Sequence, residues 1–134
     1  MIVVDTNLGA YLFINGEHSG AAEKVFLKDS RWAAPLLWRS EFRSVLVKCF
    51  RKGFFGTDDA IRIMEEAESL LSGGEYAVAS ADALMLAASS ACSAYDAEFV
   101  VLARELGVPF VTLDKLLLES FPDSAVSPER FLAL

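Results

Sequence analysis

Met1-Ile2-Val3-Val4-Asp5-Thr6-Asn7 and Phe110-Val111-Thr112-Leu113-Asp114 share one form, a short apolar run that ends on an aspartate. A run without polar alternation suits a strand covered on both faces. The first reads as a strand over Ile2–Val4 and the second as a strand over Val108–Leu113. Outward from the first, Asp5-Thr6-Asn7 is a helix-start signal, and the helix it opens runs to about Ile14, where Asn15-Gly16 ends it. A second helix covers Ser19–Lys28, and Arg31–Ala34 reads as a short strand before Pro35. A long third helix spans Leu37–Lys52 and stops at Gly53. Thr57 caps a fourth, with Asp58 and Asp59 in its first turn at the positive end of the dipole, and it ends near Ser72-Gly73-Gly74.

Glu75–Ala79 reads as extended, and Ser80 starts a fifth helix over Ala81–Ala91. Ser93 opens a sixth that reaches Leu106 and stops at Gly107. Asp114 begins a short helix ending near Phe121-Pro122, Ala125–Ser127 reads as an edge strand, and Pro128 starts a last helical turn. Strands separated by helices predict an α/β sandwich with a mainly parallel sheet. The helices outnumber the strands, so the sheet is small.

The chain has 134 residues, which is the size of a single domain over 1–134. Hydrophobic residues are 54% and charged residues 23%, which excludes a disordered tail. The net charge of −7 argues against a protein that coats nucleic acid by bulk electrostatics, while leaving room for a local site. One histidine, His18, excludes histidine-pair chemistry and a histidine-rich zinc cluster, and its loop position reads as solvated. Cys49 and Cys92 fit no zinc or redox spacing and read as small apolar core residues. Any metal must therefore be held mainly by oxygen. The N-terminus lacks the basic segment and apolar length of a signal peptide, and the longest charge-free stretch, Ala83–Tyr95, is too short to span a membrane. Unframed thiols fit a reducing, cytoplasmic setting.

Ligands of open α/β sheets bind beyond the carboxyl ends of the strands. If the two aspartate-ended strands are parallel neighbours, Asp5 and Asp114 meet at that edge. Each also has a plain reading as a helix N-cap. Glu41 lies about 60° from Trp38 on the third helix, at the border of the apolar face made by Trp38, Phe42, Val45, Leu46 and Cys49. It is placed either to reach a cleft or to pair with the dipole, Arg39 or Arg43. Asp96 stands in Ser93-Ala94-Tyr95-Asp96, a capping-box pattern. Clustered carboxylates raise one another's pKa unless a cation joins them. Hard oxygen donors suit Mg²⁺ or Mn²⁺, one or two ions of which orient water and stabilise the leaving oxygen of a phosphodiester.

With MIVVDTN at the start, Ser40-Glu41 on the third helix, Tyr95-Asp96-Ala97 leading into Phe99-Val100-Val101-Leu102-Ala103, and Val111-Thr112-Leu113-Asp114 near the end, the chain resembles PIN-domain ribonucleases. It is most similar to the VapC-type toxins of toxin–antitoxin pairs, and the ordered pieces cover nearly its whole length. The resemblance implies a PIN-like three-layer α/β/α sandwich and a metal-dependent endoribonuclease that leaves a 5′-phosphate and a 3′-hydroxyl. It implies Asp5 and Asp96 as principal metal ligands, with Asp114 completing the second side. Glu41 would orient water or complete the shell, and Thr6 and Thr112 would support it by hydrogen bonding. It further implies a homodimer and an antitoxin that blocks the site. Ser44 stands where many relatives carry an asparagine. The alternative is a non-catalytic PIN-like module that binds nucleic acid or protein. A phosphotransfer domain is disfavoured, since Asp5-Thr6-Asn7 lacks the second aspartate of the usual nucleophile pair.

The bases are uneven: residues 31 to 52 hold six of them against one acid, Glu41. Lys48 and Lys52 project within about 20° of Glu41, two and three turns farther along, and read either as RNA-phosphate contacts or as a solvated helix end. Lys115, beside Asp114, is a further candidate for RNA binding. Trp32, Phe54 and Phe55 belong to a core or interface, or, where exposed, to a surface that stacks bases or binds an antitoxin helix.

Overall fold

The computed structural model describes all residues, 1–134. Its five strands are β1 (Ile2–Val4), β2 (Trp32–Pro35), β3 (Glu75–Tyr76), β4 (Phe110–Val111) and β5 (Ala125–Val126). They form one sheet in the order β3-β2-β1-β4-β5, and every pairing is parallel. The helices are α1 (Thr6–Phe13), α2 (Ser19–Lys28), α3 (Trp38–Arg51), α4 (Thr57–Leu70), α5 (Ser80–Ala88), α6 (Ala94–Leu106), α7 (Lys115–Ser120) and α8 (Pro128–Ala133). The arrangement is the expected α/β/α sandwich.

β1 is central and buried throughout, which explains its lack of polar alternation. Val3 pairs with Ala33 on one side and Phe110 on the other. α6 covers β1, β2 and β4 and is itself backed by α5. It is buried on almost every side, through Ala97, Phe99, Val100, Val101, Leu102 and Ala103. Phe99 stacks on Phe110 of β4 with ring centroids 5.6 Å apart. α1 packs on α3 through the edge-to-face pair Phe13–Phe42 at 6.0 Å, and α3 carries α4. One continuous core of 31 buried residues results.

The short edge strand β3 is fastened by side chains. Arg39 grips Glu75 with two bonds, Nε to Oε1 at 2.7 Å and Nη2 to Oε2 at 2.9 Å. Trp38 Nε1 donates to the same Oε1 at 2.7 Å, and Arg39 Nη1 reaches Glu68 of α4 at 3.2 Å. Gly74, just before β3, sits so close to β2 that a Cβ there would collide with the Trp32 carbonyl oxygen. At Gly9 a Cβ would meet only ordinary contacts with Trp32 and Val4, each at 3.8 Å, so packing does not demand that glycine.

Several boundaries differ from the sequence expectation. Gly56, not Thr57, is the residue before α4. α5 ends at Ala88 rather than Ala91, because Ser89 and Ser90 turn their hydroxyls back onto the Leu86 carbonyl. β4 spans two residues rather than six, since only Phe110 and Val111 pair with both β1 and β5. No helix is long and apolar enough to cross a membrane.

Candidate active site

Topology alone carries four acids to one edge. In the strand order, β1 has β2 on one side and β4 on the other, so the chain reverses its direction of travel between β1 and β4. Such a switch point leaves a crevice beyond the carboxyl ends of the strands. Asp5 follows β1 and Asp114 lies just after β4. Glu41 sits in the first turn of α3, the helix after β2. α6 leads into β4 and packs on the sheet, so its first turn, with Asp96, returns to the same edge.

Hydrogen bonds fix two of these acids. The Asp5 amide donates to the Val111 carbonyl at 3.0 Å, which sets Asp5 in register with Thr112. The fully buried Thr112 hydroxyl accepts the Asp114 amide at 3.0 Å and donates its one proton to Asp5 Oδ2 at 2.6 Å. Thr6, also buried, donates to Glu41 Oε1 at 2.8 Å. Each threonine thus donates its hydroxyl proton to one of the four acids.

The capping readings divide. Asp5 precedes α1 but makes no side-chain cap. Asp114 does cap α7, accepting the Leu117 amide at Oδ1 at 3.2 Å. Ser93 caps α6 by accepting the Asp96 amide at 3.1 Å. Glu41 pairs with neither Arg39 nor Arg43, because Arg39 is taken up by Glu75 and Glu68.

No basic side chain pairs with these acids. Burial pushes the Asp5 carboxyl up to about 6, against the lowering effect of Thr112, and the charges of Asp96 and Asp114 add to the rise. Burial likewise raises Glu41, opposed by the Thr6 bond and reinforced by Asp5, Asp96 and Glu98. Asp96 is raised by burial and by Asp114, with Ser93 opposing. Glu98, half-buried on α6, is raised by burial and joins Glu41's field. No local sequence signal marked Glu98, which lies two residues past Asp96 and matches no quoted motif.

The donor set fits a hard divalent ion, being all oxygen, partly desolvated and short of positive charge. The side chains do not form a ready cage: no three His, Cys, Asp or Glu side chains are grouped so as to hold an ion.

The chain is 32% identical over 124 residues to Ribonuclease VapC3 of Pyrobaculum aerophilum, a match covering 90% of this chain and 95% of that protein. The chain belongs to the VapC ribonuclease family. No protein-family model matches it. Solved structures similar to this VapC-family chain bear out the fold. A Pyrobaculum aerophilum protein aligns with a TM-score of 0.77 and 22% identity over 98% of this chain and 86% of its own. FitAcB from Neisseria gonorrhoeae aligns at 0.70 and 15%, covering 96% of this chain and 99% of its own. A toxin–antitoxin complex from Klebsiella pneumoniae aligns at 0.68 and 16%, covering 96% and 98%.

Beside the acidic edge of this VapC-family chain lies an open cleft of about 490 Å³, with Asp5 and Asp114 at one end and Tyr11, His18, Cys49 and Phe54 among its walls. His18 departs from the solvated expectation: it is half-buried and stands edge-on to Tyr11 at 5.1 Å. Cys92 is buried and Cys49 half-buried, and both are free thiols. Lys48, Lys52 and Lys115 are exposed, and none makes an ion pair.

Proposed function

We propose that this chain is a Mg²⁺- or Mn²⁺-dependent endoribonuclease, the toxin of a toxin–antitoxin pair, with its site at Asp5, Glu41, Asp96 and Asp114. Family membership supports the ribonuclease activity. The observation that carries the site is the Asp5 carboxylate, lodged at the end of the central strand and held by the buried Thr112 hydroxyl, which also accepts the Asp114 amide. A purely structural acid in that position would be capping a helix or paired, and Asp5 does neither.

Asp5, Asp96 and Asp114 would hold the ion, which supplies a polarised water and stabilises the departing oxygen of the phosphodiester. Thr112 keeps one lobe of Asp5 fixed while its own proton is committed, so the carboxylate meets a ligand in one orientation. Thr6 does the same for Glu41, whose role is to orient the attacking water and accept its proton. Hydrolysis would leave a 5′-phosphate and a 3′-hydroxyl. Lys48 and Lys52, with Lys115 nearer the site, would contact RNA phosphates. The toxin–antitoxin assembly of the Klebsiella neighbour supports an antitoxin partner here, and we include a homodimer in the proposal.

The test is RNA cleavage with Mg²⁺, Mn²⁺ or a chelator, run beside Asp5→Asn and Asp96→Asn. Cleavage that needs the metal and both aspartates is expected. Folded protein that binds RNA yet never cuts it would favour the non-catalytic module.

A further inference from the structure

Among the aromatic residues that the sequence offered as stacking surfaces, the structure separates one. Trp32 is buried at 4% exposure and Phe55 half-buried, but Phe54 is 68% exposed and lines the cleft that ends on Asp5 and Asp114. Its position is fixed by the end of α3. Gly53 takes φ +78, its amide donates to the Phe50 carbonyl at 3.1 Å, and the Phe54 amide reaches back to Cys49 at 3.1 Å. This is the Schellman pattern, which needs a left-handed residue at the place glycine occupies. In that pattern the residue after the glycine commonly packs on the last helical turn. Here most of its ring is left to solvent, on a backbone that two hydrogen bonds hold.

The surroundings select the occupant. From Phe42 to Gly56 there is no acid, while Arg43, Lys48, Arg51 and Lys52 carry four positive charges in a chain of net −7. None of these four makes an ion pair, in contrast to Arg39 one turn earlier. Lys48 and Lys52 project within about 60° and 20° of Val45, which lines the cleft, whereas Arg43 lines a separate groove with Leu46 and Phe50. Asn7 and Asn15 also line the cleft, and their amide side chains carry the donors and acceptors that match base edges. An aromatic face beside unpaired bases, next to a hydrolytic edge, is the combination that holds single-stranded nucleic acid.

We propose that Phe54 is the stacking platform for an unpaired nucleobase flanking the scissile phosphate, making the cleft a single-strand RNA subsite. This rests on the ribonuclease reading above. Phe54 acts here as a positioning residue: it holds the substrate strand and touches no reacting atom. Stacking tolerates any base, so Phe54 selects for unpaired RNA, leaving sequence choice to Asn7 and Asn15.

The experiment uses the whole chain in chelator, with single-stranded oligoadenylate and oligouridylate carrying 2-aminopurine at one position in turn. Phe54→Ala is expected to weaken binding about ten-fold, within the range usual for one lost base stack. It should also abolish the 2-aminopurine quenching at one position, and Phe54→Trp should restore both. An abasic nucleotide at that position should bind wild type and Phe54→Ala alike. With metal present, Phe54→Ala should raise KM with kcat nearly kept. Unchanged binding and quenching in Phe54→Ala, alongside a wild type that cleaves RNA, would overturn this assignment and leave the ribonuclease standing. Wild type that neither binds nor cuts RNA would overturn both. Phe54→Ala that keeps RNA binding but loses a co-expressed protein partner would overturn it by assigning the cleft to protein.

Discussion

Glu75 and Asp5 are both partly buried carboxylates next to a strand, and the molecule moves their pKa values in opposite directions. Glu75 is lowered, chiefly by the Arg39 fork and also by Trp38, although burial works against it. Asp5 is raised to about 6, because burial and two further acids outweigh the Thr112 hydroxyl and the Thr6 amide. Glu75 spends its charge on the fold, tying β3 to α3. Asp5 keeps its charge uncompensated, at a cost to the metal-free protein. A carboxylate that destabilises its own fold is explained if something absent from the chain completes it.

The contrast breaks most visibly at the acidic edge. Asp5→Asn and Asp96→Asn should each lower RNA cleavage roughly a thousand-fold, beyond the 10- to 100-fold typical of a supporting partner. Thr112→Val should fall within that 10- to 100-fold range, and Thr112→Ser should recover most of the loss by restoring the hydroxyl. Cleavage rates with metal, on protein shown folded by circular dichroism, check all four variants. A loss in Thr112→Ser with none in Thr112→Val would mean that the methyl, not the hydroxyl, matters.

Stability against pH sharpens the comparison further. Asp5's folded pKa lies above its ordinary 3.8, so the protonated form is favoured in the fold. The metal-free protein should therefore lose stability as pH rises from 3.8 to about 6, by about 2–3 kcal/mol in all, and stay at that lower level above it. Asp5→Asn should remove that loss and be more stable than wild type at neutral pH. Adding Mg²⁺ or Mn²⁺ should recover stability in wild type and not in Asp5→Asn. Glu75 has the opposite sign: its folded pKa lies below 4.5, so its contribution is present above pH 4.5 and is lost as pH falls through the folded value. Glu75→Gln should cost about 1–2 kcal/mol at neutral pH, with Arg39's partial exposure limiting the loss. Urea titrations between pH 3 and 8 in chelator read both effects.

These acids were unequally legible in the sequence. Asp5 and Asp114 followed from the apolar runs ahead of them, because parallel strands place whatever follows them at one edge. Glu41's border position on α3 was readable from helical spacing, but its partner was not. Arg39 and Arg43 were the local candidates, whereas Thr6 is 35 residues away in the chain. Arg39's bond to Glu75 was equally hidden, since it depends on β3 pairing with β2. Local pattern thus located the acids, and only tertiary structure showed which were neutralised. Phe54 is intermediate: Gly53 marked the helix stop, yet exposure of the next ring depended on how α1 and α3 leave the cleft open.

The smallest effect concerns the cations. Arg39 is neutralised inside the protein, whereas Lys48 and Lys52, on the same helix, have no partner. If the division between committed and free charges holds for bases as it does for acids, the two lysines act only when a polyanion arrives. Lys48→Gln with Lys52→Gln should leave folding stability nearly unchanged and lower RNA affinity several-fold at low salt. Each phosphate contact to a single strand contributes about 0.7 to the slope of log affinity against log salt, so the double variant's slope should shrink by about 1.4. Affinity for single-stranded RNA measured at several salt concentrations in chelator decides it. A slope unaltered by the double substitution would place both lysines at an ordinary solvated helix end, with the dipole as their only partner. A slope reduced by half as much would keep one of them on the RNA, and single substitutions would then say which.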